Sequence, residues 1–176
     1  MTKEEAVANF FIALGHSDGG NGEYMTNMRL NKLMYFAQAW SLVLFDKPLF
    51  SETIKAWEHG PVIPSIYHKY RRGRNPIVRT DPSFSIDMLD AKEQELLLAV
   101  IAKYGIFSTY RLRNITHRPG SPWESARTGN KIIEIEKIKE YFKKEDPLKL
   151  IGSGEDYPTV GYRSDCGSYV LPTDWK

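Results

Sequence analysis

Sixteen residues from Leu30 to Phe45, LNKLMYFAQAWSLVLF, are apolar around most of the circumference of a helix. A helix of this kind is normally buried at the centre of a fold, so the segment predicts a central helix that the rest of the chain encloses. Thr26 and Asn27 are good capping residues for its start, and Asp46-Lys47-Pro48 marks its end. The segment is too short and too often interrupted by polar residues to span a bilayer.

Lys32 lies within this apolar segment, where an ammonium group needs a partner or a shifted pKa. We expect the ammonium to reach a carboxylate or a cluster of carbonyl oxygens, or to extend along the helix to the surface. A buried Lys32 without a partner would contradict this expectation.

Helical spacing and capping residues predict further helices along the chain. They lie at about residues 3–14, 64–72, 91–104, 109–116, 122–126 and 132–144. The last of these is marked by Ile132, Ile135, Ile138 and Phe142. Between the helices, Leu49 to Glu58 is predicted to be extended, and Gly60-Pro61 to form a turn.

The chain therefore predicts a mostly α fold, a compact helical domain at residues 1–145 around the buried central helix, with a small extended or β element. Residues 146–176 are rich in Gly and Pro and have almost no helical pattern, so they predict an irregular C-terminal tail. Within the tail, Thr159–Tyr162 and Ser168–Leu171 are predicted to pair as a short hairpin.

Composition excludes several classes of protein. The apolar fraction is 41% and the charged fraction 26%, ordinary values for a globular domain. The net charge of +2 is too small to indicate polyanion binding by bulk charge. Cys166 is the single cysteine, which fits a reducing compartment, and the acidic start of the chain lacks the pattern of a signal peptide. We therefore expect a cytoplasmic protein without a membrane partner.

No catalytic or metal-binding pattern stands out. The histidines, His16, His59, His68 and His117, have no helical i, i+4 spacing, and no CxxC or HExxH motif accompanies them. Cys166 has no histidine near it in the sequence, and no GxSxG or SxxK motif occurs. The sequence thus predicts no enzyme, no metal and no cofactor.

Charge is distributed unevenly along the chain. Residues 61–80 carry +5 with no acidic residue, residues 81–96 carry −4, and residues 108–131 are again basic. The basic segments are either a patch for phosphates or an acidic partner, or they pair with the acidic segment between them. The residues of these basic segments are Lys69, Arg71, Arg72, Arg74, Arg79, Arg111, Arg113, Arg118, Arg127 and Lys131.

Two stiff motifs combine an aromatic residue with proline: AWEHGPV at residues 56–62 and THRPGSPW at residues 116–123. A rigid turn can present its tryptophan to a partner at little entropic cost. Alternatively, Trp57 and Trp123 attach their loops to the core, and the sequence leaves both interpretations open. We expect Gly60 to adopt a conformation awkward for other residues, and Pro61 to fix the chain after it.

These motifs together resemble the SocA-like antitoxin family, also called the Panacea domain. Members share an L-x-K-L-x-Y-F-A helix, a P-L-F segment, an A-W-x-x-G-P-V turn before a Tyr-bearing helix, and later T-H and P-W pairs. The matching residues here are Leu30, Lys32, Leu33, Tyr35, Trp57, Gly60, Pro61, Val62, Tyr67, Thr116, His117, Pro122 and Trp123. The resemblance runs from about Met1 to Phe142.

The resemblance implies an all-α antitoxin of a toxin–antitoxin system, of the kind often carried by prophages, that neutralises a toxin protein encoded by the adjacent gene. We expect direct binding through exposed residues near the turn and the helix after it: Glu58, His59, His68, Lys69 and Arg72. Charge reversal at Lys69 and Arg72 is then expected to weaken binding and leave the melting temperature nearly unchanged. The alternative function is a regulator that binds DNA, such as its own promoter, through the basic segment 69–79.

Overall fold

The computed structural model describes residues 1–15, 24–71, 78–144, 162–163 and 169–170. This part of the chain is mostly helical, as expected, with two small antiparallel sheets. The helices are α1 (Lys3–Gly15), α2 (Asn27–Leu44), α3 (Pro64–Lys69), α4 (Ala91–Tyr104), α5 (Thr109–Thr116), α6 (Pro122–Arg127) and α7 (Ile135–Phe142), and Ile86–Met88 forms a 3-10 helix. The strands are β1 (Lys55–Trp57), β2 (Gly60–Val62), β3 (Tyr162–Arg163) and β4 (Tyr169–Val170).

Helix α2 is the buried centre of the fold, which confirms the first expectation. Every residue from Arg29 to Leu42 is buried, and α1, α4, α5 and α7 all pack against this helix. The side chain of Thr26 caps α2 by accepting a hydrogen bond from the Arg29 amide at 3.2 Å. Burial on all sides is what an apolar circumference requires, because no face of such a helix gains from contact with water.

The polar side chains of α2 bind the backbone of the segments that surround it. The Gln38 side chain accepts hydrogen bonds from the amides of Leu49 and Phe50 and donates one to the Phe50 carbonyl oxygen. Asn31 accepts a hydrogen bond from the Ile63 amide at 2.9 Å. Extended backbone buried against a helix needs such partners, because its amides and carbonyls have lost water.

The other helices begin at the capping residues that the sequence indicates. Asp90 and Glu93 form a reciprocal capping box at the start of α4. Ser108 and Ser121 cap α5 and α6 through their hydroxyl oxygens, and Pro122 takes the first position of α6. Helix α3 ends at Lys69, earlier than expected, and Tyr70 caps its C-terminus.

The β1–β2 hairpin differs in one respect from the expected turn at Gly60-Pro61. Gly60 and Pro61 lie in strand β2, where Gly60 pairs with Trp57 and Pro61 with Ala56. The turn itself is formed by Glu58 and His59. The end of the extended segment, Lys55–Trp57, pairs with Gly60–Val62, so the chain reverses before the glycine.

Ile132 is not part of the last helix, in contrast to the periodicity of the sequence. It forms an antiparallel bridge with Lys55, supported by a 2.9 Å hydrogen bond from the Ile133 amide to the Ile54 carbonyl oxygen. Spacing alone does not separate an extended apolar residue before a helix from the helix itself. Helix α7 begins three residues later, at Ile135.

In the C-terminal region, β3 pairs with β4, with Tyr162 opposite Val170 and Arg163 opposite Tyr169. This pairing lies in the region of the expected hairpin. His16, Arg72, Arg74 and Cys166 lie outside the described residues. Across the described ranges, no helix is both long and apolar enough to cross a membrane.

Candidate protein-interaction site

The inner face of the β1–β2 hairpin rests on Lys32 of α2. The Lys32 side chain is completely buried, and its Nζ donates a hydrogen bond to the Pro61 carbonyl oxygen at 2.9 Å. This contact agrees with the expectation that buried Lys32 has a partner, and the acceptor is one carbonyl oxygen and not the expected cluster. It also fixes β2 to the central helix at the most rigid residue of the hairpin.

Gly60 is the point of closest approach between hairpin and helix. Its φ of +108° is in the region that favours glycine. A Cβ atom at this position would lie 2.6 Å from Lys32 Cε and 2.9 Å from Thr116 Oγ1. Both the backbone conformation and the lack of space therefore require glycine. The sequence predicted the first of these two reasons.

The surroundings of Lys32 change its acidity. Burial, reinforced by the charge of Arg113, lowers the pKa of Lys32 to about 7. A neutral amine still has hydrogens to donate, so the bond to Pro61 persists when the proton is lost.

His117 and Trp123 hold the tip of the hairpin from the other side. Trp123 is buried, and its Nε1 donates a 2.8 Å hydrogen bond to the Trp57 carbonyl oxygen. His117 Nε2 lies 3.3 Å from the Glu58 carbonyl oxygen, and the His117 and Trp123 rings are 3.6 Å apart. Burial is the main cause that lowers the pKa of His117. The two aromatic-proline motifs therefore meet, and the second clamps the first.

The outer face of the hairpin exposes an aromatic group. The Trp57 ring contacts Tyr67 and His68 of α3 at centroid distances of 4.9 and 6.1 Å. Trp57 and Tyr67 are half-buried and His68 is exposed, next to the exposed turn residues Glu58 and His59. We call these five residues, Trp57, Glu58, His59, Tyr67 and His68, the hairpin surface.

Lys69 differs from the other residues expected to bind a partner. Its Nζ is 2.8 Å from a carboxylate oxygen of Glu5 and 3.6 Å from one of Asp81. The Glu5 hydrogen bond is the main cause that raises the pKa of Lys69. Of these two carboxylates only Asp81 belongs to the acidic segment 81–96, so the pairing that the sequence left open is one part of the contact, and Glu5 of α1 is the closer partner. Charge reversal at Lys69 would place three negative groups together. These ion pairs argue against an unchanged melting temperature for the Lys69 half of the double charge reversal.

Within the described ranges, no group of three or more His, Cys, Asp or Glu side chains comes together to hold a metal ion. His117 Nδ1 lies 3.1 Å from Thr116 Oγ1 and 2.7 Å from the Arg113 carbonyl oxygen. The His68 ring contacts the Trp57 ring. The site consists of aromatic rings and a charged turn on a rigid support, an arrangement suited to binding.

The structure also contains a feature that sequence reasoning missed: a cavity of about 210 Å³ between α2, α4, α5 and α7. The basic segment 108–131 was its one signal, because Arg111 and Arg118 line the cavity. Four separate helices form its walls, and no local sequence pattern predicts that these helices pack around a cavity.

Comparison with known proteins identifies the family of this chain. Residues 30–124 match the family described as "Antitoxin SocA-like, Panacea domain". The matched range begins with Leu30 of the central helix and ends just after Trp123, so it contains both halves of the clamped hairpin. The chain belongs to this family.

A particular relative is Antitoxin SocA of Caulobacter vibrioides (strain NA1000 / CB15N). It is 27% identical to this chain over 115 residues, which cover 60% of this chain and 61% of the relative. The alignment thus spans about three-fifths of that protein's length. No solved structure matches this chain.

Proposed function

We propose that this protein is an antitoxin that neutralises a toxin by binding it directly through the hairpin surface. The observation that carries the proposal is the half-exposed Trp57–Tyr67–His68 group beside an exposed charged turn. Tryptophan and tyrosine supply most of the binding energy in many protein interfaces. Family membership and the name of the Caulobacter relative support the antitoxin role.

The support beneath the hairpin surface favours this use. The bonds from Lys32 to Pro61 and from Trp123 to Trp57 hold the hairpin backbone on both sides. A surface already held in its binding conformation loses little conformational entropy when a partner arrives. The half-exposed Trp57 therefore serves as an anchor for the toxin, and the turn residues Glu58 and His59 add charge complementarity.

The mechanism we propose requires no catalysis, metal or cofactor. The antitoxin covers the toxin surface, so activity is blocked for as long as the complex persists. The partner is a protein encoded by the neighbouring gene, and both act in the cytoplasm.

Co-expression with the neighbouring gene product tests the proposal. The wild-type chain is expected to restore growth and to co-purify with the toxin. The double variant Glu58→Arg/His59→Glu puts a cation in place of the carboxylate at residue 58 and a carboxylate at residue 59. It is expected to do neither, at an unchanged melting temperature. Lys92→Glu/Glu95→Arg, an exposed pair on α4 away from the hairpin, serves as the matched control and should behave as the wild type. Rescue by the turn variant at wild-type efficiency would contradict the proposed surface.

A further inference from the structure

The cavity between α2, α4, α5 and α7 has an aromatic floor. Phe36 and Tyr104 stack at a centroid distance of 4.0 Å and an interplanar angle of 3°, and Tyr35 and Phe142 extend the floor. Burial raises the pKa of Tyr35 above its ordinary value, so its hydroxyl is neutral throughout the physiological range. The base of the cavity is therefore apolar and uncharged.

The rim of the cavity is cationic. Arg111 and Arg118 line it together with Lys103, and no Asp or Glu is among the described residues that form its wall. Within the described ranges, neither arginine has a carboxylate within ion-pair distance. The Arg111 guanidinium lies over the Phe107 ring at 4.4 Å, which orients it without neutralising it.

We propose that this cavity binds a carboxylate of the toxin, presented next to an apolar or aromatic side chain. This inference rests on the proposed function and names a second contact made by the same partner. Arginine recognises a carboxylate through two parallel hydrogen bonds, and the aromatic floor takes the apolar part of the ligand.

The size of the cavity favours a single side chain. Pockets for drug-sized ligands and cofactors have volumes of roughly 300–1,000 Å³, whereas this cavity has about 210 Å³. A nucleotide is too large for it. One residue, either acidic with an apolar neighbour or at the free C-terminus of a chain, matches both volume and charge.

The cavity adjoins the hairpin surface. Thr116 lines the cavity, and its Oγ1 is one of the atoms that leave no room for a side chain at Gly60. The next residue, His117, contacts the Glu58 carbonyl oxygen. Residues 116–118 thus form a short wall between the two places. A toxin docked on the hairpin surface needs to extend only across this wall to insert a side chain.

Binding measurements with purified full-length protein test the inference. Arg111→Gln, Arg118→Gln and the double variant remove charge from the rim, and the double variant Arg79→Gln/Lys92→Gln removes the same charge from exposed positions outside it. We expect each rim variant to raise the toxin Kd about tenfold, and the control to change it less than about twofold. Arg118→Gln keeps the test valid if loss of the Arg111–Phe107 contact lowers stability.

A small probe tests the chemistry of the cavity without the toxin. Benzoate, which joins a carboxylate to an aromatic ring, is expected to shift the NMR signals of residues that line the cavity in a saturable way. Neutral benzamide should shift them far less, and the double rim variant should lose the benzoate response. Inorganic phosphate binding as well as benzoate would overturn the inference, because the aromatic floor would then contribute nothing.

The two proposals fail in different ways. If the wild type binds toxin and the double rim variant binds it equally well, the cavity inference is overturned and the hairpin surface stands. If the wild type binds no toxin at all, the proposed function fails, and the toxin contact proposed here fails with it. A tenfold weaker toxin complex together with a lost benzoate response supports the inference.

Discussion

The two faces of the β1–β2 hairpin carry different kinds of residue. Gly60 and Pro61 face α2, where a buried amine and a buried threonine leave no room for a side chain at position 60. Trp57 faces outward and shares its ring contacts with Tyr67 and His68, which water still reaches. A single motif therefore contains residues that hold the hairpin and residues that present it.

The two tryptophans of the aromatic-proline motifs show the same division. Trp123 is buried, and its Nε1–H donates a hydrogen bond to the Trp57 carbonyl oxygen, so Trp123 attaches the hairpin to the core. Trp57 has its backbone held while its ring stays half-exposed. Attachment of the loop, one of the two interpretations that the sequence left open, is thus found for Trp123, and presentation of Trp57 to a partner stays a proposal.

The largest effect is expected from the central helix. Trp40 is completely buried in α2, and Trp40→Ala should lower the free energy of unfolding by about 3–5 kcal/mol, because it leaves a large cavity. Leu33, Tyr35 and Trp123 are also buried, and truncating any of them is likewise expected to act on stability. Urea unfolding measures the loss. A Trp40→Ala protein as stable as the wild type would contradict the central position of α2.

Gly60 is expected to rank next. Gly60→Ala combines backbone strain with a clash against Lys32 and should cost about 2–4 kcal/mol, and Gly60→Val more. Gly120→Ala is the matched control, since Gly120 also has a positive φ, of +75°, but no atom within 4 Å of an added Cβ. Equal losses at the two positions would show that backbone strain, and not the approach to Lys32, requires glycine at residue 60.

Lys32 predicts a pH dependence of stability. Because its folded pKa, about 7, is below its unfolded value of 10.5, the unfolded chain holds more protons between these values. The free energy of unfolding should therefore rise by about 2 kcal/mol from pH 7 to pH 9, because Lys32 is neutral in the folded state at the higher pH and no charge is buried. Unfolding measured across this range should show a rise in the wild type and a much flatter curve in Lys32→Met. Parallel curves would mean that Lys32 does not titrate there.

The smallest effect is expected at Lys69. Its ion pairs with Glu5 and Asp81 are partly exposed, so Lys69→Glu should lower stability by only about 1 kcal/mol and leave toxin affinity unchanged. Lys92→Glu, exposed on α4, is the control for a change of net charge. A strong loss of toxin binding in Lys69→Glu alone would extend the interface to this end of α3. A salt-dependent shift of promoter DNA that Lys69→Glu abolishes would support the alternative DNA-binding role.

Local patterns were sufficient to predict most of the helices. The apolar circumference of α2, the capping residues Asp90 and Ser108, and the backbone conformation of Gly60 depend on a few neighbouring residues, so the sequence displays them directly. The approach of Gly60 to Lys32 and Thr116 does not. The carbonyl partner of Lys32 was also predictable in kind, because a buried ammonium cannot lack an acceptor.

Contacts between distant segments were not predictable in the same way. The bridge from Ile132 to Lys55, the pairing of Lys69 with Glu5, and the cavity between four helices depend on how the elements pack. Charge counting placed Lys69 in a basic run but gave no distance to a carboxylate in α1. For this reason the residues proposed to bind the toxin are chosen by the exposure of their side chains in the structure and not by the charge of their segment.

Calorimetric titration of the toxin into two tryptophan variants separates binding by the outer face of the hairpin from support by the buried core. Trp57→Ala is expected to raise the toxin Kd at least about 30-fold, the effect of losing a hot-spot residue of about 2 kcal/mol. Trp40→Phe is expected to lower the melting temperature and leave the Kd unchanged. If Trp57→Ala binds the toxin as tightly as the wild type, the hairpin surface is not the interface, and the proposed mode of binding is wrong.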